Sequence, residues 1–193
     1  MNVFDFDGTI YDGDSSKDFF FYCLKKYPKT RAKIFPVMIY GMGFGLKMVK
    51  KKTFKQKLFS IVTKIPDIDK AVLDFWQEHR KNIKKWYMEM KDSTDIIISA
   101  SPEFLLEPIC AELGVECMMA TKVDKKTGLF EGENCHGKQK VTRFYERYPE
   151  AHIDGFYSDM YCDTPLALLA QKAYMVKKDS LSPWKFKKKD IIS

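Results

Sequence analysis

The sequence predicts an α/β fold, a Rossmann-like parallel sheet core with a helical segment inserted behind its first strand. Three observations carry that reading. Residues 2–6 form a short apolar run of strand character that breaks at Gly8, and the next run of comparable strength, 95–99, comes only after a long interval. That interval is rich in helical periodicity. From Thr94 onward, strand-like and helix-like segments alternate, as parallel crossovers require.

Within the interval the spacing predicts helices over 16–26, 29–50, 53–63 and 69–90, with Pro28 and Pro66 as breakers. The expected organisation is a core made of 1–11 and 90–193 and an inserted helical unit over 12–89. The second half reads as a strand at 96–99, a helix over 102–113 that Gly114 terminates, and a strand-like run over 115–123. A hairpin is expected at 128–132, a helix at 138–147, a strand at 153–158, a helix at 165–171 and a final strand at 173–176.

With 193 residues, 45% hydrophobic and 15% aromatic, the chain can bury a sizeable core, which argues against disorder as its main state. The formal net charge of +7 favours anionic partners: phosphorylated small molecules, lipid headgroups or nucleic acid. Much of the excess lies in Lys47, Lys50, Lys51, Lys52, Lys55 and Lys57 and in the tail run Lys185, Lys187, Lys188 and Lys189, where solvated faces are the simpler reading. No nucleic-acid-binding motif accompanies them, so nucleic acid is not expected as a partner. Five cysteines without a CxxC pair fit neither a disulfide framework nor a zinc site. The first residues offer no basic region followed by an apolar signal core, and a cytoplasmic protein is expected. His79, His136 and His152 lack ligand spacing, Trp76 and Trp86 fall in a helical pattern and read as core, and Cys162 reads as a packed thiol. Oligomeric state is not legible.

Four motifs carry chemistry. Asp5-Phe6-Asp7-Gly8-Thr9 stands where the first strand ends, and Gly8 permits a turn that brings both carboxylates toward one mouth. Such a pair suits metal-assisted work in which one carboxylate attacks and the other shuttles a proton; exposed turn carboxylates are the bland alternative. The run Ile96-Ile97-Ile98-Ser99-Ala100-Ser101-Pro102 ends in hydroxyls just before a helix. Ser99 and the adjoining amides can hold a phosphate oxygen, while Ser101 is expected to cap the helix with Pro102 in its first turn. Gly137-Lys138-Gln139-Lys140-Val141 opens a helix with cations, which the helix dipole disfavours unless a counter-anion is present. Tyr157-Ser158-Asp159-Met160-Tyr161-Cys162-Asp163 places two more carboxylates beyond a strand end, fit either for a metal or for helix capping.

In this order and context the four motifs resemble the haloacid dehalogenase superfamily of phosphatases. More closely, Ser-Ala-Ser-Pro, Asn134-Cys135-His136-Gly137 and Asp163-Thr164-Pro165-Leu166 resemble subfamily IB, with its phosphoserine phosphatases and phosphatidylglycerophosphatase C-like proteins. The resemblance implies a helical cap between the first two motifs, which 12–89 fits, and hydrolysis of phosphomonoesters through an aspartyl-phosphate intermediate. It assigns Asp5 as nucleophile and Asp7 as general acid and base. Mg²⁺ would be held by Asp5, the carbonyl of Asp7 and Asp159, with Asp163 as ligand or supporting partner. Gly8, Thr9, Ser99, Ala100 and Lys140 would hold the phosphate, with Lys138 as runner-up for the lysine.

The expected substrate is a small phosphorylated metabolite. Asp14 stands near the place of the glutamate that grips substrate in phosphoserine phosphatases, but the segment 53–63 brings Lys55 and Lys57 and no arginine, which disfavours phosphoserine. The run 34–46 is markedly apolar and flanked by lysines, and is too short for a bilayer span of about 20 residues. The simpler expectation is a buried cap helix or dimer contact. The alternative is contact with an anionic membrane surface, as a phosphatase of lipid phosphates at the inner membrane face would need. A phosphotransferase and a non-catalytic phosphate-binding module remain as further classes, the second disfavoured by the intact acidic set.

Overall fold

The computed structural model describes residues 1–187; Lys188 and Lys189 of the tail run lie outside them. Six strands form one sheet in the order β3-β2-β1-β4-β5-β6: β1 (Asn2–Phe4), β2 (Ile96–Pro102), β3 (Cys117–Thr121), β4 (Ile153–Ser158), β5 (Ala170–Lys177) and β6 (Ser180–Pro183). The first five run parallel, and β6 closes the edge antiparallel to β5. The central strands are apolar on both faces: Val3 and Phe4 of β1 and Ile97 and Ile98 of β2 are fully buried, as a sheet covered on both sides requires. β1 is flanked by β2 and β4, so the chain order reverses there, and the carboxyl ends of these three strands form the crevice where open α/β sheets place their sites.

All elements between β1 and β2 are helical: α1 (Ser15–Lys26), α2 (Ile34–Gly45), α3 (Lys51–Phe59), α4 (Ile68–His79) and α5 (Lys85–Met90), with short 3-10 turns between them. Asp14 caps α1 by accepting from Lys17 N at 3.0 Å, and Asp67 caps α4 through Lys70 N at 2.9 Å. α1 and α4 pack on the sheet side of the molecule, where Phe19, Phe75 and Trp76 join Phe6, Tyr11 and Phe104 in one apolar cluster. After β2 come α6 (Glu103–Glu112), α7 (Lys138–Arg147) and α8 (Thr164–Ala167). α6 ends as expected at Gly114, whose φ of +73° lets Gly114 N bond Ala111 O and Val115 N bond Cys110 O.

Several expectations are corrected. The helix read over 69–90 breaks after His79, because residues 80–84 turn back to pair with the loop after β1: Asp12 N bonds Asn82 O and Lys84 N bonds Ile10 O, both at 2.8 Å. The 29–50 helix becomes a 3-10 turn followed by α2, and the 53–63 helix becomes α3 plus a 3-10 turn. The hairpin at 128–132 is a turn with the single bridge Val123–Phe130. The helix read over 165–171 stops at Ala167, and β5 takes over from Ala170. The run 34–46 is not a buried cap helix: in α2 only Val37 is buried, while Phe35 is 72% exposed and Met42 63%.

Candidate active site

The loop after β1 builds the floor of the site. Asp5 N donates to Tyr157 O at 2.9 Å, so Asp5 stays in register with β4 one residue beyond the strand proper. Ile10 N and Tyr11 N both return to Phe6 O, and Gly8, at φ +71°, makes the turn. A Cβ added at Gly8 would sit 2.1 Å from Asp159 Oδ2, so the loops after β1 and β4 meet there without room for a side chain. Asp159 N donates to Thr9 Oγ1 at 3.0 Å and ties the two loops together.

Lys140, in the first turn of α7, is 2% exposed and bridges Asp5 Oδ1 at 2.8 Å and Asp163 Oδ2 at 2.7 Å. Ser158 Oγ also donates to Asp163 Oδ2, at 2.8 Å. Lys138 is exposed, on another face of the helix. Here lies the counter-anion that a lysine at a helix N-terminus needs. Burial would lower the Lys140 pKa, yet the two carboxylates outweigh it and hold the group above its ordinary value. Asp5 is pushed up to about 7, first by burial and further by the charge of Asp163, with Lys140 opposing. Asp159 rises to about 6, chiefly by burial.

Asp7 faces a different set of partners. Its Oδ1 accepts from Ser15 N at 2.7 Å and its Oδ2 from Ser101 Oγ, and Ser101 Oγ also meets Ser16 Oγ at 2.7 Å and Ser15 Oγ at 3.2 Å. Burial raises the Asp7 pKa despite these bonds, with the charge of Asp14 adding to the rise. Ser101 therefore does not cap α6: β2 continues through it to Pro102, and Pro102 occupies the cap position without a side-chain bond. Ser99 is fully buried and accepts from Ser101 N at 3.1 Å.

Asp5, Asp7, Gly8, Ala100, Lys140, Asp159 and Asp163 share one cleft of about 240 Å³, joined by Asp14 from the start of α1. Thr9 and Ser99 stand behind its wall, both fully buried. The same cleft receives groups that the sequence reading gave no role: Lys51 and Lys55 of α3, and His136, Met160 and Cys162. Lys55 Nζ donates to Ala100 O at 2.8 Å, and burial lowers its pKa. Lys84, buried by the break between α4 and α5, donates to the carbonyls of Gly8 and, at 2.8 Å, Lys178, and so pins the turn at Gly8. The four-residue spacing of Lys51 and Lys55 was a readable signal, since it puts both on one helix face. Nothing distinguished Lys84 from its neighbours Lys81 and Lys85.

The donor set bears on cations. Among the described residues no three His, Cys, Asp or Glu side chains are grouped as a metal cage. Asp159 Oδ1 is buried without a hydrogen-bond partner, however, and Asp5, Asp159 and Asp163 outnumber Lys140, the cation that bonds two of them. An orphaned carboxylate oxygen beside an excess of negative charge fits a hard divalent cation that draws on two carboxylates, a backbone carbonyl and water.

Comparison with known proteins agrees with this arrangement. The family of haloacid dehalogenase-like hydrolases matches residues 3–168. Protein CicA of Caulobacter vibrioides is 29% identical over 93 residues, a stretch that covers 45% of this chain and 42% of that protein. The chain thus aligns with less than half the length of this relative. A protein of unknown function from Bordetella pertussis Tohama I superposes with a TM-score of 0.73 at 17% identity, covering 90% of this chain and 87% of the other. A phosphoserine phosphohydrolase-like protein from Francisella tularensis subsp. tularensis SCHU S4 superposes with a TM-score of 0.57 at 18% identity, covering 90% and 86%. At these identities the superpositions speak to the fold.

Proposed function

Because this chain belongs to the haloacid dehalogenase-like hydrolases, we propose that it is a phosphomonoester hydrolase in which Asp5 takes the phosphoryl group from a small phosphorylated substrate. The observation that supports this best is the difference between two carboxylates two residues apart. Asp5 is held by the buried cation Lys140, and Asp7 is held by a hydroxyl and a backbone amide. Asp5 has Lys140 as its counter-cation, which suits an anionic nucleophile beside a phosphoryl group; Asp7 has no cation bonded to it, and burial and the charge of Asp14 shift it toward the protonated form that a general acid needs.

In this reading Asp5 attacks phosphorus and the P–O ester bond breaks as Asp7 protonates the departing alkoxide. Asp7, now a carboxylate, takes a proton from water; the water oxygen attacks phosphorus, the Asp5–phosphorus bond breaks, and inorganic phosphate leaves. Lys140 neutralises phosphoryl oxygens, the Ala100 amide orients them while Ser99, behind the cleft wall, holds that turn through Ser101 N, and Asp163 keeps Lys140 in place. Asp5, the carbonyl of Asp7 and Asp159 are the residues that would hold Mg²⁺, which supplies charge neutralisation of the phosphoryl oxygens when bound. The inserted helices, 12–89, act as the cap over a core of 1–11 and 90–193, and Asp14 lies where they meet the cleft.

The test is release of inorganic phosphate from an aryl phosphate, with Mg²⁺ and with chelator. Activity is expected only with Mg²⁺, and Asp5→Asn is expected to lower it by at least about 10³-fold while the protein stays folded. Near wild-type turnover by the folded variant would refute the nucleophile assignment.

A second reading, a phosphatase of lipid phosphates that meets an anionic membrane surface, is favoured by one feature. Phe35, Met38, Met42 and Leu46 are all more than half exposed, beside Lys47 and Lys50. No helix among the described residues is long and apolar enough to cross a membrane, so contact would be interfacial. Binding to anionic but not neutral vesicles, lost in a Phe35→Asp, Phe44→Asp double variant, would support it.

A further inference from the structure

Beside the catalytic cleft lies an apolar groove of about 400 Å³ that phosphoryl chemistry leaves unused. Phe20 and Phe21 of α1, Val37 and Phe44 of α2, and Phe54 and Leu58 of α3 form its walls. One wall is fixed by the parallel rings of Phe44 and Phe54, 5.4 Å apart at an interplanar angle of 6°. A Cβ on Gly41 would approach the Phe54 ring to 3.3 Å, so this glycine lets α2 and α3 close on each other and hold that ring. The groove's polar lining is Asp14, Ser16, Lys17, Lys51 and Lys55, and Asp14, Lys51 and Lys55 also line the cleft that contains Asp5 and Asp7. The two cavities therefore meet.

They meet on a particular side. Asp7 accepts from Ser101 Oγ, Ser101 Oγ lies 2.7 Å from Ser16 Oγ, and Ser16 lines the groove. If Asp7 protonates the leaving oxygen, the groove begins on the leaving-group side of the phosphorus, while Lys51 and Lys55 stand at the junction where the ester's negative charge would pass. Isolated exposed apolar side chains need no explanation, but Phe21, Phe44, Phe54 and Leu58, all at least partly exposed, stand with the buried Phe20 and Val37 around one concavity continuous with a polar cleft, the composition of a ligand site.

We propose that this groove is the leaving-group subsite and that the substrate class is an amphiphilic phosphomonoester, an alkyl or aryl-alkyl chain carrying a terminal phosphate. This inference rests on the assignment of Asp5 and Asp7 above and adds what they cannot supply, a choice among phosphate esters. Lys51 and Lys55 take the anionic end and the six apolar side chains take the chain.

The experiment is a series of n-alkyl phosphates from ethyl to octyl, kept below micelle formation, with kcat/KM read from phosphate release. Burial of each methylene predicts a rise of about three- to fourfold per carbon until the groove is full. Leu58→Glu, and Phe21→Asp at a position already 55% exposed, are expected to flatten that dependence. Repeating the octyl ester with neutral vesicles separates the two sources of such a substrate. A rate that follows the free monomer assigns a soluble amphiphile, and a rate that grows with vesicle surface assigns a lipid phosphate. A flat wild-type response in an enzyme that turns over ethyl phosphate, or an unchanged slope in both folded variants, would overturn the groove assignment alone. Failure to hydrolyse any ester, aryl phosphate included, would overturn the phosphatase reading and the groove with it.

Discussion

The carboxyl end of the sheet and the outer helices of the insertion are built on opposite rules. At the sheet end, charged and polar side chains are buried and bonded to one another: Lys140 to Asp5 and Asp163, Ser158 to Asp163, Ser101 to Asp7. In α2 most apolar side chains face outward, with Val37 its only buried residue, while Phe54 and Leu58 of the neighbouring α3 pack partly against the core. The contrast teaches where composition follows the fold and where it does not. A buried charge survives only with its partners, so each catalytic candidate has its neighbours prescribed. An exposed apolar helix gains nothing from the chain's own core, and its residues answer to what lies outside it.

The two regions should therefore fail differently. Lys140→Met leaves Asp5 and Asp163 facing each other without a cation, and the expected loss is about 3–5 kcal/mol of stability, measured by denaturant unfolding. A loss no larger than at a surface position would mean that the pair is solvated and the contrast false.

Asp5 and Asp159 have folded pKa values raised from 3.8 to about 7 and about 6, so between roughly pH 4 and pH 7 the folded protein without divalent cation binds more protons than the unfolded chain. Stability must then fall as pH rises through that window. The raised Lys140 contributes fully anywhere below its ordinary 10.5 and does not alter the slope. If Mg²⁺ is held as proposed, it binds the deprotonated carboxylates, and its stabilisation should grow across the same window. Thermal melts from pH 4 to 8, with and without Mg²⁺, check both signs; stability rising with pH in the chelated protein would contradict the raised values.

Gly8→Ala should cost roughly 1–2 kcal/mol from its left-handed conformation alone. The contact with Asp159 adds to that cost, and apparent Mg²⁺ affinity should weaken with it. Titration of Mg²⁺ against activity reads this. At the other extreme, Phe35→Asp should change stability by no more than about 0.5 kcal/mol, since its ring is 72% exposed. A large destabilisation there would show that α2 is covered in solution.

The same contrast governed what the sequence could tell. α7 and β4 begin and end where periodicity placed them, because Phe144 and Ile153 anchor faces that the core buries fully. Asp5, Asp7, Asp159 and Asp163 were legible as motifs at strand ends and Lys140 as a cation opening a helix, and all five share one cleft. β6 was not legible: all four of its residues are exposed, and an edge strand with no buried face has no alternation to read. The break between α4 and α5 was hidden for a related reason. Its cause is pairing with the loop after β1, a long-range backbone contact that leaves no mark in local spacing. Ser101 misled because a serine before Pro-Glu has the composition of a helix cap, whereas here its hydroxyl belongs to Asp7. α2 misled most, since an apolar run reads as buried unless something else is known to cover it.

The proposed mechanism stands on Asp5 carrying the phosphoryl group during turnover. Acid quenching of the protein while it hydrolyses an aryl phosphate with Mg²⁺, followed by peptide mass spectrometry, measures this directly. A hydroxylamine-labile phosphoryl group is expected on the peptide containing Asp5, absent from Asp5→Asn. Steady turnover with the phosphoryl group on another side chain, or undiminished turnover by Asp5→Asn, would contradict it.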